Sequence, residues 1–254
     1  MKNFLEHLFN RKSPPAAAKT DAAAAFLEAR GIVFTKRADG TLFVPGDLSL
    51  ASQQLTALPD LSRVEVGGSF CCDDNALETL EGAPQKVGRN FSCMGNRLIT
   101  LRGAPPQVPG DFNCARNLLA SLAQGPDIVG GDFHCGFNKL ETLEQGPSRV
   151  AYQYVCVGNR LPNLKGIAQS IGEEINAREN PLETVDGVAE NFAGLFCRLG
   201  DFGSFAAVPE ELRLSRESRN KEAALAAMSL PEDLKLMRAI TFASRPAQKS
   251  PLSP

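Results

Sequence analysis

Four consecutive stretches decide the fold: FCCDDNALETLEGAPQKVGRN (70–90), FSCMGNRLITLRGAPPQVPGD (91–111), FNCARNLLASLAQGPDIVGGD (112–132) and FHCGFNKLETLEQGPSRVAYQ (133–153). They align without gaps at a period of 21 residues. A fixed period of this length means stacked supersecondary units, each covering a face its neighbour cannot bury alone. The register continues to residue 195. One column reads Phe70, Phe91, Phe112, Phe133, Tyr154, Ile175. Two residues on stand Cys72, Cys93, Cys114, Cys135, Cys156 and Ala177, and three further on Asn75, Asn96, Asn117, Asn138, Asn159 and Asn180. Leucines follow from Leu77 to Leu182 and from Leu80 to Leu164, with Val185 closing the second column. A Gly/Pro turn and a last apolar column from Val87 to Phe192 complete each unit. A longer copy begins at Leu48 and makes seven units over 48–195.

The period-2 spacing of Phe91 and Cys93 puts both on one side of a short strand. Parallel strands stack at about 4.8 Å, so seven units form a slab about 30 Å long. Pro and Gly in the second half of each unit argue against a long return helix. Extended or 3₁₀ segments are expected there. The fold class is therefore a mainly β repeat solenoid of short parallel strands. A small α/β cap precedes it and an α-helical cap follows.

The recurring F-x-C-x-x-N-x-L resembles the leucine-rich-repeat core L-x-L-x-x-N-x-L. Its Gly-x-Pro-x-x-Val half is similar to short-repeat bacterial and phage-type members of that family. The stretch Leu58-Pro59-Asp60-Leu61 resembles secreted bacterial leucine-rich-repeat effectors. The resemblance implies a binding module, and an effector acting on a host protein through the same surface as the alternative.

Outside the repeat, residues 1–20 read as a flexible segment holding an amphipathic stretch around Phe4, Leu5, Leu8 and Phe9. Glu6 and His7 break its apolar run, which argues against a secretory leader. Residues 21–47 read as a cap: a helix over 21–30 with Thr20 as N-cap and Gly31 as stop, then a hairpin around Arg37-Ala38-Asp39-Gly40. Residues 196–244 read as a helical cap and 245–254 as a disordered tail.

Residues 48–195 carry 11 Lys/Arg against 17 Asp/Glu, a net charge of −6. An acidic solenoid lacks the basic stripe that nucleic acid needs. No run of 18 apolar residues predicts a membrane span. Five of the seven cysteines form the ladder. Their expected spacing of about 4.8 Å is too wide for disulfide Cβ atoms, so they read as small buried hydrophobes in a reducing, cytoplasmic setting, or one reached before specialised secretion. The asparagine column reads as a set of backbone partners.

What varies is the outward strand face. Asn90, Asp111, Asn113, Asp132, His134, Gln153, Glu174 and Arg178 lie on it, with Arg116 and Phe137 just beyond. These ten are the candidate binding residues. Asp111, Asn113, Asp132 and His134 could hold a metal or a general base in a minimal metal-dependent enzyme. No nucleophile–base pair or phosphate loop accompanies them, so the leading expectation is a non-enzymatic protein-binding module without a cofactor. Its partner and oligomeric state stay open.

Overall fold

A computed structural model describes residues 16–183, 187 and 196–198. The repeat builds a β-solenoid. Its front is one parallel sheet of eight strands: Leu48–Ser49, Phe70–Cys71, Phe91–Ser92, Phe112–Asn113, Phe133–His134, Tyr154–Val155, Glu174–Asn176 and Phe196–Arg198. Register follows the period, with Phe70 opposite Phe91, Phe91 opposite Phe112 and Phe112 opposite Phe133. Leu48 pairs with Phe70, so the longer first copy enters the same register. The stack runs one strand past the expected boundary at 195: Phe196–Arg198 pairs parallel with Glu174–Asn176. Otherwise the expected C-terminal cap and tail lie outside the described residues, as do residues 1–15.

The first six front strands send their first residue inward, and Glu174–Asn176 sends Ile175. Phe70, Phe91, Phe112, Phe133 and Tyr154 are fully buried. Their rings form one column, with neighbouring centroids 5.1, 5.5, 5.9 and 5.0 Å apart. Burying each such side chain is worth roughly 1.5–3 kcal/mol, and each ring pair adds about 1. The five ladder cysteines and both leucine columns fill the remaining core. Cys71, Cys72, Cys93, Cys114, Cys135 and Cys156 are free thiols. Desolvation raises the thiols of Cys72, Cys93 and Cys135 well above their ordinary value, and pushes Cys114 up to about 12.

The asparagines hold the turns together. Asn117 Nδ2 donates to the Cys114 carbonyl in its own turn and the Cys93 carbonyl in the turn before, both over 3.1 Å. Its Oδ1 accepts the Leu98 N–H over 3.0 Å. Asn75, Asn96, Asn138, Asn159 and Asn180 repeat the pattern. One amide therefore satisfies three kinds of backbone group where the chain turns out of the sheet.

The return side is extended. Its strands of two or three residues form two four-stranded sheets, one ending at Lys86–Val87 and the next beginning at Gln107–Val108. Proline explains the cut. The N–H at this column donates to the preceding turn from Gly67 to Val44, Gly88 to Val66, Gly130 to Val108 and Ala151 to Val129, over 2.7–2.9 Å. In the intervening turn the position is Pro109, which has no N–H to give Val87. Pro106 likewise occupies a donor column that Asp127, Ser148 and Gln169 use at 2.9 Å. A cleft of about 540 Å³ opens at this seam, lined by Glu65, Val66, Gln85, Val87, Pro106 and Pro109 among others.

At the N-terminal end a helix runs Ala16–Glu28 and stops at Gly31, whose φ is +65°. Thr20 thus lies within the helix and does not cap it. The alanine run 16–18 has high helix propensity and carries the helix past that position. Thr35–Lys36 and Leu42–Val44 pair antiparallel, and the second strand continues parallel onto Val64–Val66. Buried Ala23 and Leu27 join the helix to the solenoid core. No helix among the described residues is long and apolar enough to cross a membrane.

Candidate functional site

The outward face is built in rows that run along the solenoid axis. Immediately before the aromatic column stand Asn90, Asp111, Asp132, Gln153 and Glu174, each half-buried. The inner oxygens of the first three are committed to the backbone. Asn90 Oδ1 accepts the Asp111 N–H over 2.9 Å, Asp111 Oδ1 the Asp132 N–H over 2.8 Å, and Asp132 Oδ1 the Gln153 N–H over 3.0 Å. Asn90 Nδ2 also donates to Asp111 Oδ2 over 3.2 Å. Glycine makes room for this row. A Cβ on Gly110 would lie 2.0 Å from Asn90 Oδ1, and one on Gly131 2.2 Å from Asp111 Oδ1.

The next row holds Asn113, His134 and Val155, with Asn113 opposite His134 and His134 opposite Val155 in the sheet. Asn113 Oδ1 accepts the Ala115 N–H over 3.0 Å, and its amide lies 3.8 Å from Met94 Sδ. His134 Nε2 stands 4.0 Å from Asp132 Oδ2. That pair belongs to the candidate metal or general-base cluster of Asp111, Asn113, Asp132 and His134. No group of three or more His, Cys, Asp or Glu that could hold a metal occurs among the described residues.

Two residues beyond the cysteine column the chain turns out through a left-handed conformation in every unit. Ser52, Asp74, Gly95, Arg116, Phe137, Gly158 and Glu179 all have φ between +53° and +68°. For a non-glycine residue this conformation costs roughly 1–2 kcal/mol. Asp is among the types that adopt it most readily, and a bulky residue there is an outlier. Arg116, Phe137 and Glu179 are such residues, and Phe137 is the aromatic one. Its side chain is 44% exposed, although apolar. The Arg116 guanidinium sits 5.1 Å from its ring centroid on one side. On the other side a Cβ on Gly158 would lie 2.6 Å from the ring, so only glycine lets the ring lie across the next turn.

Of the ten candidates, the structure thus gathers Asn113, Arg116, His134 and Phe137 with Val155 and Val157 into one patch. Asn90, Asp111 and Asp132 flank it with their inner oxygens engaged. Arg178 is exposed at the C-terminal end, one residue before Glu179.

A further row lies outside the ten candidates. Arg97, Leu118, Lys139 and Arg160 are all exposed, one per turn, next to the left-handed column. The signal was present as Asn-Arg-Leu, Asn-Leu-Leu, Asn-Lys-Leu and Asn-Arg-Leu. The flanking Asn and Leu are buried, so the middle residue must point out. Among the described residues no ion pair engages Arg97, Arg116, Lys139, Arg160 or Arg178.

No protein-family model, no curated protein and no solved structure matches this chain, so its relationship to other proteins rests on the architecture alone: a parallel β-solenoid with a 21-residue repeat.

Proposed function

We propose that the solenoid is a non-enzymatic protein-binding module whose docking surface centres on Phe137. The observation that carries this reading is a half-exposed aromatic held at a φ of +55°, in a column where Gly95 and Gly158 stand without strain. Backbone strain at an exposed side chain is characteristic of positions kept for function. Aromatic and Arg side chains also supply most of the energy of protein interfaces. The pairing of Arg116 with Phe137 puts both types at one point. The leucine-rich-repeat resemblance of F-x-C-x-x-N-x-L supports the same reading, because solenoids of this kind bind along their exposed sheet face. The free thiols favour action in a reducing compartment.

A photo-crosslinking phenylalanine analogue at position 137 of the full chain tests the proposal in lysate of the native cells. A discrete crosslinked protein is expected from position 137 and not from Val33, which is 76% exposed but remote from the face. The same pattern from both positions, or none from 137, would overturn it.

A further inference from the structure

The row beside Phe137 indicates the chemistry of the partner. This inference rests on the docking face proposed above and extends it. Arg97, Lys139 and Arg160 lie in one column, with turns about 4.8 Å apart, so they span about 14 Å along the axis. Arg116 stands in the neighbouring column within the same span, and Arg178 lies one turn past Val157 on the front face. All five are exposed and none is in an ion pair. The nearest carboxylates of the front face, Asp111 and Asp132, already accept backbone N–H groups. Asp74 and Glu179 stand in the left-handed column on either side of the stretch from Gly95 to Gly158. An outer row of Glu78, Glu141 and Glu183 follows two residues beyond and makes no ion pair with the cations.

This edge therefore carries a row of exposed cations without ion pairs from Arg97 to Arg178, passing Leu118, Phe137, Val155 and Val157. We infer that this edge receives an extended acidic segment of a protein partner, its carboxylates along Arg97, Arg116, Lys139 and Arg160 and its apolar side chains on the Phe137 patch. A short acidic peptide fits better than a nucleic acid. Screening limits charge interactions to about 8–10 Å, so a peptide meets only the ridge. A longer polyanion also meets the excess of carboxylates on the repeat region, net −6.

The test uses the full chain and three labelled probes in fluorescence anisotropy: a twelve-residue peptide of repeated Glu-Leu-Asp-Phe, its Gln-Leu-Asn-Phe analogue, and a twelve-nucleotide single strand. The triple variant Arg97→Glu/Lys139→Glu/Arg160→Glu is compared with Lys86→Glu/Arg89→Glu/Lys165→Glu, which makes the same change in net charge away from the ridge. The acidic peptide is expected to bind the parent and the second variant alike. It should bind the ridge variant at least about tenfold more weakly, a difference of about 1.4 kcal/mol. Equal loss in both variants, equal binding of the uncharged analogue, no binding of the acidic probe, or preference for the oligonucleotide would overturn the inference. If the crosslink from position 137 survives in the ridge variant, the docking face stands and only its acidic partner is lost. If the parent itself gives no discrete crosslink from position 137, the face is refuted, whatever the ridge variant does.

Discussion

The backbone N–H of Asp132 donates to the carboxylate of Asp111 over 2.8 Å, one turn away along the solenoid. Asp111 is thus both part of the outward surface and a rung that joins two turns. Removing the acceptor leaves a half-buried N–H without its partner. Asp111→Ala should lower unfolding stability by about 2 kcal/mol. Asp111→Asn keeps an oxygen in place, as Asn90 does for the preceding turn, and should lose less than about half of that. Urea denaturation followed by circular dichroism reads the difference. Equal losses would show that the acceptor is not what matters.

Phe133 and Phe137 are four residues apart and should respond oppositely to truncation. Phe133 is fully buried in the ring column, and Phe133→Ala should cost about 3–5 kcal/mol. Phe137→Gly loses half-exposed ring contacts but relieves a left-handed backbone, and should stay within about 1 kcal/mol of the parent. The same substitution should abolish crosslinking from an analogue placed at the neighbouring Val157. A loss above about 3 kcal/mol would instead make Phe137 a core residue.

The buried thiols impose an alkaline limit on stability. In the folded chain Cys72, Cys93, Cys114 and Cys135 are pushed upward by burial, Cys114 from an ordinary 9.0 to about 12. In the unfolded chain they ionise near the ordinary value. Above it the unfolded state releases protons that the folded state keeps, so their contribution is complete below pH 9 and declines as pH rises toward 12. Each thiol steepens the loss by about 1 kcal/mol per pH unit. Urea midpoints measured from pH 7 to 11 should be flat at first and then fall steeply. Replacing Cys114 by Ala should make the fall shallower; an unchanged slope would contradict the burial argument.

Pro109 makes a different kind of prediction, because it concerns a bond that is missing. Pro109→Ala supplies an N–H facing the Val87 carbonyl, in the column where Gly130 donates to Val108 over 2.8 Å. The new amide should exchange with solvent as slowly as that of Gly130, measured by hydrogen exchange. Overall stability should change by less than about 1 kcal/mol, since the added bond is offset by the greater freedom of the unfolded chain. Exchange at the rate of a free peptide would place the cause of the seam elsewhere.

The period, the ring column, the cysteines and the asparagines were legible because each repeats one side-chain chemistry every 21 residues. The left-handed column was not. Asp74, Gly95, Arg116, Phe137, Gly158 and Glu179 share a backbone angle and no side-chain property, so composition conceals them. Asp111 and Asp132 were legible as outward residues. Their bonds to the next turn were not, because the clue lies in the small residue before them: Gly110 and Gly131 leave the space that the neighbouring side chain fills. The two-residue return strands carry one buried residue each, too little alternation for a strand pattern. The helix began earlier than its capping residue suggested because alanine needs no cap to continue a helix.

The seam has a mechanical meaning. One side of the solenoid is an unbroken eight-strand plate, and the other is two plates that meet at Pro106 and Pro109 without a rung at Pro109. A beam notched on one face is stiff everywhere except at the notch, and it flexes there by opening and closing the cut. Bending is therefore expected to concentrate at a single level, between the second and third phenylalanines of the core, where the Gly110 N–H still donates to the Arg89 carbonyl over 3.0 Å beside Pro109. The Phe137 patch lies one turn beyond that level, and bending at the notch would swing it as a unit with its geometry intact.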